Sequence, residues 1–195
     1  MSKRIELFDA LRGVSILLMI LHHAAIDLAE AHWLSYAALH HPVVVVLQFI
    51  FSSVFIALAG FSSKFSKNNW KRGLQLLAIA YGITLVTSFL PMVPIRFGIL
   101  HFLAWAILLY ALLQPHLDRI PTHVWFWLFL VAYGFYVWVN LNMANNPPHL
   151  WMLGIVGGTF QSADYYPLLP WFFLFILGTK LGVAAREHRL PAWVY

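Results

Sequence analysis

The hydrophobic positions of the chain fall in long continuous runs, separated by short segments that contain prolines and polar residues. These runs have about the 20 residues that a helix needs to cross the ~30 Å hydrocarbon core of a bilayer. They lack the alternating pattern of barrel strands, so they predict helices. Six membrane spans follow, at about 11–30, 42–62, 73–90, 98–114, 123–141 and 168–185.

The composition also indicates a membrane protein. Of the 195 residues, 62% are hydrophobic and only 10% are charged, against roughly 25% charged residues in a soluble domain. So few polar side chains cannot cover the surface of a water-soluble globule. We therefore predict an all-α, polytopic helical bundle that forms a single domain over residues 1–195 in a lipid bilayer. The lack of cysteine excludes disulfides, thiolate metal sites and cysteine nucleophiles.

The basic residues indicate the orientation of this bundle. Eleven of the twelve Lys and Arg residues precede or begin the first span, or follow the second, fourth and sixth spans, and only Arg96 lies on the other side. By the positive-inside rule both termini are cytoplasmic, in agreement with an even number of spans. The same rule accounts for the formal net charge of +5, so no nucleic acid partner is expected. Glu6 and Asp9 lie before the first span with no cleavage pattern after them, which indicates a retained segment rather than a signal peptide.

The first span holds several ionisable residues. Such side chains are costly in hydrocarbon and usually face the bundle interior or a water-filled cavity, so each is a functional candidate. Arg12 and His23 lie about 20° apart around the helix and about 16 Å apart along it. Asp27 is four residues from His23, the spacing at which it would orient the imidazole, and Asp9 is three residues from Arg12. The alternative is that His22, His23 and Asp27 form an interfacial cluster beyond an earlier helix end.

Three further features have predicted structural roles. The apolar stretch 150–156, inside the long loop 142–166, is too short to span, so it caps the bundle, lies in the interface or folds back into the bundle. Gly178 and Gly182 have the spacing of small residues at close helix contacts. His101, in the fourth span, either forms a hydrogen bond between helices or belongs to the site.

Four segments resemble a known family of membrane-bound acyltransferases. In that family an acidic residue and an Arg-Gly pair open the first helix, and a histidine follows the arginine after ten residues, as Arg12 and His23 do here. The segments, in chain order, are RIELFDALRGVSILLMILHH at 4–23, AGFSSKF at 59–65, IRFGILHFLAWAILLYALL at 95–113 and DYYPLLPWFFLFILGTKLG at 164–182. Together they resemble the bacterial branch related to heparan-alpha-glucosaminide N-acetyltransferase.

The resemblance implies transfer of an acetyl group from cytoplasmic acetyl-CoA to a hydroxyl or amine of a glycan-like acceptor across a bacterial cytoplasmic (inner) membrane. His23 would be the general base or the nucleophile, with Asp27 as its partner and Asp9 and His101 in support. No metal is expected. The phosphates of the donor would lie near a basic cluster formed by Arg12, Lys64, Lys67, Lys71 and Arg72. The alternative role of that cluster is membrane orientation and attraction of anionic lipids.

The family leaves open which histidine is catalytic. In its animal members the catalytic histidine lies in the loop after the first helix, which would point to His32, His40 or His41 in this chain. His22 also competes with His23. The chain is shorter than members with ten or eleven spans, so a further helix, a partner subunit or a homodimer would be a way to complete the site.

Two other functions fit intramembrane histidines. A haem-binding membrane anchor would use His22 or His23 with His101 as axial ligands, provided that they lie at matching depth on neighbouring helices. A small transporter or scaffold would use the histidine and aspartate of the first span as a proton relay. The transporter predicts ion-coupled flux that does not depend on acetyl-CoA.

Overall fold

The computed structural model describes residues 6–142, 150–157, 160–191 and 194, and these residues contain seven α-helices and no strand. Lys3 and Arg4, two of the basic residues that precede the first predicted span, lie outside the described residues. The helices are α1 (Glu6–Glu30), α2 (Tyr36–Leu39), α3 (Pro42–Phe65), α4 (Asn69–Ser88), α5 (Ile99–Leu117), α6 (Thr122–Asn142) and α7 (Leu168–Arg186), with one 3-10 turn at Trp151–Leu153.

The six long helices that the structure describes lie at the positions of the six predicted membrane spans, and α4 differs from the others in its composition. Within the described residues, five helices are long and apolar enough to cross a membrane, namely α1, α3, α5, α6 and α7. The fourth helix has 20 residues, but Asn69, Lys71, Arg72 and Gln75 make its first half polar. The predicted third span therefore forms a helix of the expected length that is less apolar than the other five.

Two helices extend beyond the predicted spans at one end. We predicted that the fourth span ends before Pro115, whereas α5 continues to Leu117. Pro115 lies in the last turn, where its missing N–H removes a single helical hydrogen bond, and the N–H of Asp118 still donates to Gln114 O at 2.9 Å. The first helix begins at Glu6 rather than near residue 11, because Glu6 and Asp9 place negative charge at the positive end of the helix dipole.

The polar contacts show how the helices run relative to one another. Arg12, near the start of α1, reaches Ser62, near the end of α3, so these two helices are antiparallel. Lys64 of α3 and Lys180 of α7 both reach Asp118 at the end of α5, so these three helices end at the same side of the bundle. We call this side the basic end, and we call the side of His22 and His23 the histidine end.

The two described ends of the chain meet at the basic end. Phe8 at the start of α1 packs in an apolar cluster with Phe61 of α3, and with Ala185 and Val194 near the end of the chain. The structure thus places both described ends on one side of the bundle, as an even number of crossings requires. The positive-inside rule predicts that this side is cytoplasmic.

Close packing of α3 on α7 forms the centre of the bundle. A Cβ atom at Gly178 would overlap the carbonyl oxygen of Ala57, and one at Gly60 would overlap that of Phe175. The close helix contact predicted from Gly178 and Gly182 is confirmed. Around this contact lies the apolar core, whose fully buried members include Ile56, Phe102, Ile107, Tyr110, Phe175 and Ile176.

The described part of the long loop folds back over the histidine end. The ring of Trp151 stacks on Phe160 and also contacts Phe97, and the hydroxyl of Tyr165 donates to Trp151 O. In the structure the apolar stretch 150–156 packs over the histidine end, which corresponds to the predicted role as a cap of the bundle. This packing holds the segment that leads into α7, and therefore Asp164 and Tyr166, against the start of α5.

Candidate active site

A cavity of about 340 Å³ lies at the basic end, between α1, α3, α4 and α5. Its charged and polar lining comes from three of these helices and its interior is apolar. The lining residues are Arg12, Phe55, Ala59, Ser62, Arg72, Gln75, Leu76, Ile79, Leu100, Leu103 and Ile107. Leu100 and Ile107 are two helical turns apart, so the apolar part extends about 10 Å along the bundle.

Two serines of α3 hold the two arginines of this cavity. The hydroxyl of Ser62 donates to Leu58 O and accepts a hydrogen bond from Arg12 Nη2 at 2.7 Å. Ser63 in the same way donates to Ala59 O and accepts from Arg72 Nη1 at 3.3 Å. Each hydroxyl has one proton, and since that proton is used within the helix, its lone pairs face the guanidinium.

Asp9 forms an ion pair with Arg12. The predicted pair forms, with Arg12 Nη1 at 3.1 Å from Asp9 Oδ1, and both side chains are about one-third exposed. Arg12 has five N–H donors, so these contacts leave others that a bound anion would accept from. The cavity therefore combines two guanidinium groups at its mouth with an apolar interior.

The structure does not bring the predicted lysines into this cavity. Lys64 forms an ion pair with Asp118 and faces α5, because it lies well around the helix from Ser62. Lys67, between α3 and α4, and Lys71, in the first turn of α4, are exposed and do not line the cavity. Of the predicted basic cluster, Arg12 and Arg72 are the members that meet.

A second, smaller cavity of about 40 Å³ lies at the histidine end. It lies farther along α3 and α5 than the first cavity, because Gln48 and Phe51 precede Phe55 on α3 and Ile99 precedes Leu100 on α5. Its lining residues are Met19, His22, His23, Ile26, Gln48, Phe51, Ile99, Ala163, Asp164 and Tyr166. The two cavities thus occupy successive turns between the basic end and the histidine end.

Polar groups from distant parts of the chain meet in the second cavity. The hydroxyl of Tyr166 lies 2.6 Å from Ser52 Oγ, and Asp164 Oδ2 accepts the N–H of Ile99 at 2.8 Å. Burial raises the pKa of the Asp164 carboxyl above its usual range, and the Ile99 N–H and the charge of His23 act in the opposite direction. Burial also raises the pKa of Tyr166 to about 12, so its hydroxyl keeps its proton at neutral pH.

The predicted pairing of His23 with Asp27 is not what the structure shows. Among the described residues no hydrogen bond or ion pair joins the two side chains, and Asp27 is exposed and does not line the cavity. The carboxylate that shares the cavity and an electrostatic interaction with His23 is Asp164. Spacing along one helix could not indicate this acid, because it comes from the loop before α7. Its one sequence signal was its position at the start of the last family-like segment.

The histidines after α1, which are alternatives to His23 as the catalytic residue, lie outside the second cavity. His32 is exposed with a φ of 61°, at the point where the chain leaves α1. His40 Nδ1 lies 2.8 Å from Tyr36 O, and His41 caps α3 by accepting the N–H of Val43. His22 lines the cavity beside His23, and its ring contacts Phe51. The structure therefore brings His22 and His23, but not these loop histidines, to the cavity.

His101 forms the interhelical hydrogen bond that was one of its two predicted roles. It is 1% exposed, and its Nε2 lies 2.9 Å from Thr84 Oγ1 of α4. The Thr84 hydroxyl donates to Ile95 O at 2.6 Å, so Nε2 is the protonated nitrogen. His101 lines neither cavity, so the structure does not place it with His22 or His23 as a pair of haem ligands. Among the described residues there is also no group of three or more side chains suited to a metal ion.

Fold and site together define a polytopic helical membrane protein with an arginine-lined cavity at one end and a histidine–carboxylate cluster at the other. A family model described as "Heparan-alpha-glucosaminide N-acetyltransferase, catalytic" matches residues 4–194. The chain belongs to this family, which implies a membrane acetyltransferase, and enzymes of the family in general use acetyl-CoA as donor. No curated protein and no solved structure matches the chain.

Proposed function

We propose that this protein transfers an acetyl group from acetyl-CoA, bound at the basic end, to a hydroxyl or amine of a glycan-like acceptor at the histidine end. The best support for this proposal is that two cavities lie one after the other along α3 and α5. The first offers cations and an apolar path, and the second offers an imidazole. Arg12 and His23, one in each cavity, are about 16 Å apart along α1.

Arg12 and Arg72 are the proposed phosphate ligands. Guanidinium groups match the geometry of phosphate oxygens and form strong, charge-assisted hydrogen bonds with them. The arm of acetyl-CoA that carries the thioester would then extend through the apolar interior between Leu76 and Ile107 toward His23.

His23 is the proposed general base. Its imidazole removes a proton from the acceptor hydroxyl or amine, whose oxygen or nitrogen bonds to the thioester carbonyl carbon. The carbon–sulfur bond breaks, and the leaving thiolate takes the proton from His23. The products are the acetylated acceptor and the free thiol, so atoms and charge balance.

A covalent route would use the same histidine as nucleophile. His23 would accept the acetyl group first, with release of the thiol, and the acceptor would then attack the acetyl-imidazole. The two routes differ in one measurement, which is whether labelled acetyl remains on the protein when no acceptor is added.

Positive-inside orientation supports placing the basic end in the cytoplasm, where acetyl-CoA is made, with the acceptor on the other side of a bacterial cytoplasmic membrane. The +5 net charge and its location in the sequence are the grounds for this part of the proposal.

The test is an acetyl transfer assay on purified protein with labelled acetyl-CoA and glucosamine, which offers both hydroxyls and an amine. We expect His23→Ala to lower the rate by about 10²- to 10⁴-fold, the usual contribution of a general base, while His32→Ala retains the wild-type rate. Full activity of His23→Ala would contradict the assignment, and loss of activity in His32→Ala alone would move the site to the loop after α1.

A further inference from the structure

Asp164 lies where the loop before α7 crosses the start of α5. Its Oδ2 accepts the N–H of Ile99, the first residue of α5. Gly98, the N-cap of α5, makes no side-chain cap of its own, and a Cβ atom there would overlap the Asp164 carboxylate. The carboxylate of Asp164 thus takes the place of the missing cap, close to the positive end of the helix dipole.

Backbone contacts on both sides fix the position of this carboxylate. The N–H of Ala163 donates to Pro94 O, the N–H of Tyr166 donates to Phe97 O at 3.0 Å, and the N–H of Arg96 donates to Ser162 Oγ at 2.9 Å. The loop is therefore tied to the segment before α5 over several consecutive residues. A carboxylate held in this way is preorganised, because it need not be ordered when substrate binds.

The carboxylate also lines the cavity that holds the imidazole, and in the described part of the chain no direct hydrogen bond or ion pair joins the two side chains. Asp164 and His23 line the same cavity and interact electrostatically. Besides these two, the titratable groups of the lining are His22 on the same helix and Tyr166 on the same loop, while α3 and α5 contribute no ionisable side chain. In the described lining Asp164 is thus the sole acid.

We propose that Asp164 is a positioning residue for His23, holding its ring toward the acceptor and stabilising the protonated imidazole during acetyl transfer. This inference rests on the proposed function and assigns to Asp164 the role that helix spacing assigns to Asp27. One oxygen of the carboxylate, Oδ2, accepts the N–H of Ile99 at the start of α5. Asp27 cannot share this arrangement because it lies outside the cavity.

The experiment compares Asp164→Asn with wild type in the acetyl transfer assay with labelled acetyl-CoA and glucosamine. Asparagine keeps the size and the acceptor oxygen for the Ile99 N–H but removes the charge. We expect kcat to fall about a hundredfold, the cost of a misplaced catalytic group, with the KM for acetyl-CoA unchanged. Asp164→Glu, which restores the charge, should recover part of the lost kcat.

Matched variants separate the explanations. Glu30→Gln, at the exposed end of α1, makes the same acid-to-amide change away from the cavity and should match wild type. If Asp27→Asn reproduces the loss and Asp164→Asn does not, the inference is overturned. Equal losses of kcat in Asp164→Asn and Asp164→Glu would indicate a purely structural role for Asp164, which also overturns the inference. If wild type transfers no acetyl group, the proposed function fails and this role with it, whereas an active wild type with a normal Asp164→Asn refutes this role alone.

Discussion

At the scale of single residues, the arginine-lined cavity depends on serine hydroxyls that donate their protons to carbonyl groups of their own helix. Ser62 and Ser63 donate to carbonyls of α3, so each can only accept from a guanidinium. Neighbouring serines on one helix thereby hold arginines from two different helices, α1 and α4. Arg12 and Arg72 are the cations that this arrangement leaves facing the cavity.

This arrangement predicts the effect of removing one cation. Arg72→Ala should raise the KM for acetyl-CoA about tenfold or more, because a hydrogen bond to a charged group is worth about 1.5–3 kcal/mol. Its kcat should change much less, since the phosphate contacts are the same before and during transfer. Arg186→Ala removes an exposed charge at the same end and should leave KM unchanged. A normal KM in Arg72→Ala would contradict the placement of the donor.

Asp164 predicts a dependence of stability on pH. Its pKa is raised in the folded protein, so the folded state holds the proton to higher pH than the unfolded chain. The resulting stabilisation is present below the unfolded pKa and is lost as pH rises through the folded pKa. Thermal unfolding followed by tryptophan fluorescence should show wild type losing stability relative to Asp164→Asn over this range. A constant difference between the two proteins would contradict the prediction.

The sequence predicted some of these residues and not others. Arg12, Asp9 and His23 share one helix, so a fixed rotation of 100° per residue was enough to relate them. Asp164 enters the cavity of His23 through a loop that folds over the bundle, and helix periodicity carries no information about such a placement. Lys64, Lys67 and Lys71 do not line the first cavity, and charge alone does not show which face of a helix meets it.

At the scale of the helices, the close contact of α3 with α7 determines where the site residues lie. Gly60 and Gly178 let the two backbones approach, which brings Ser52 of α3 within reach of Tyr166 just before α7. The apolar runs predicted all six long helices, because bilayer thickness sets their length. They did not predict the end of α5, since a proline in a last turn costs little.

Gly178→Ala tests this contact. The added methyl group would meet the carbonyl of Ala57, so the helices must separate, at a cost of about 1–3 kcal/mol. Gly134 of α6 has no atom within 4 Å of a built Cβ, so Gly134→Ala should be neutral or slightly stabilising. The unfolding temperatures of the two variants in detergent check this. Equal values would show that α3 and α7 are not in close contact.

At the scale of the bundle, the proposed acetyl transfer requires two ends with different chemistry. The basic end holds both described chain ends and the arginine cavity, and the histidine end holds the imidazole, Asp164 and the covering loop. An acetyl group that enters at one end and leaves at the other would cross most of the membrane within the bundle. Local chemistry at a single end would not need the second cavity.

The most direct test is a sidedness measurement in sealed inside-out vesicles, whose cytoplasmic face is outward. Glucosamine is trapped inside, labelled acetyl-CoA is added outside, and label on the trapped sugar is counted. If acetyl transfer crosses the bundle, we expect labelled glucosamine inside vesicles that contain wild type and none in vesicles that contain His23→Ala. Equal labelling by both proteins, or transfer only when donor and acceptor are on the same side, would contradict this expectation.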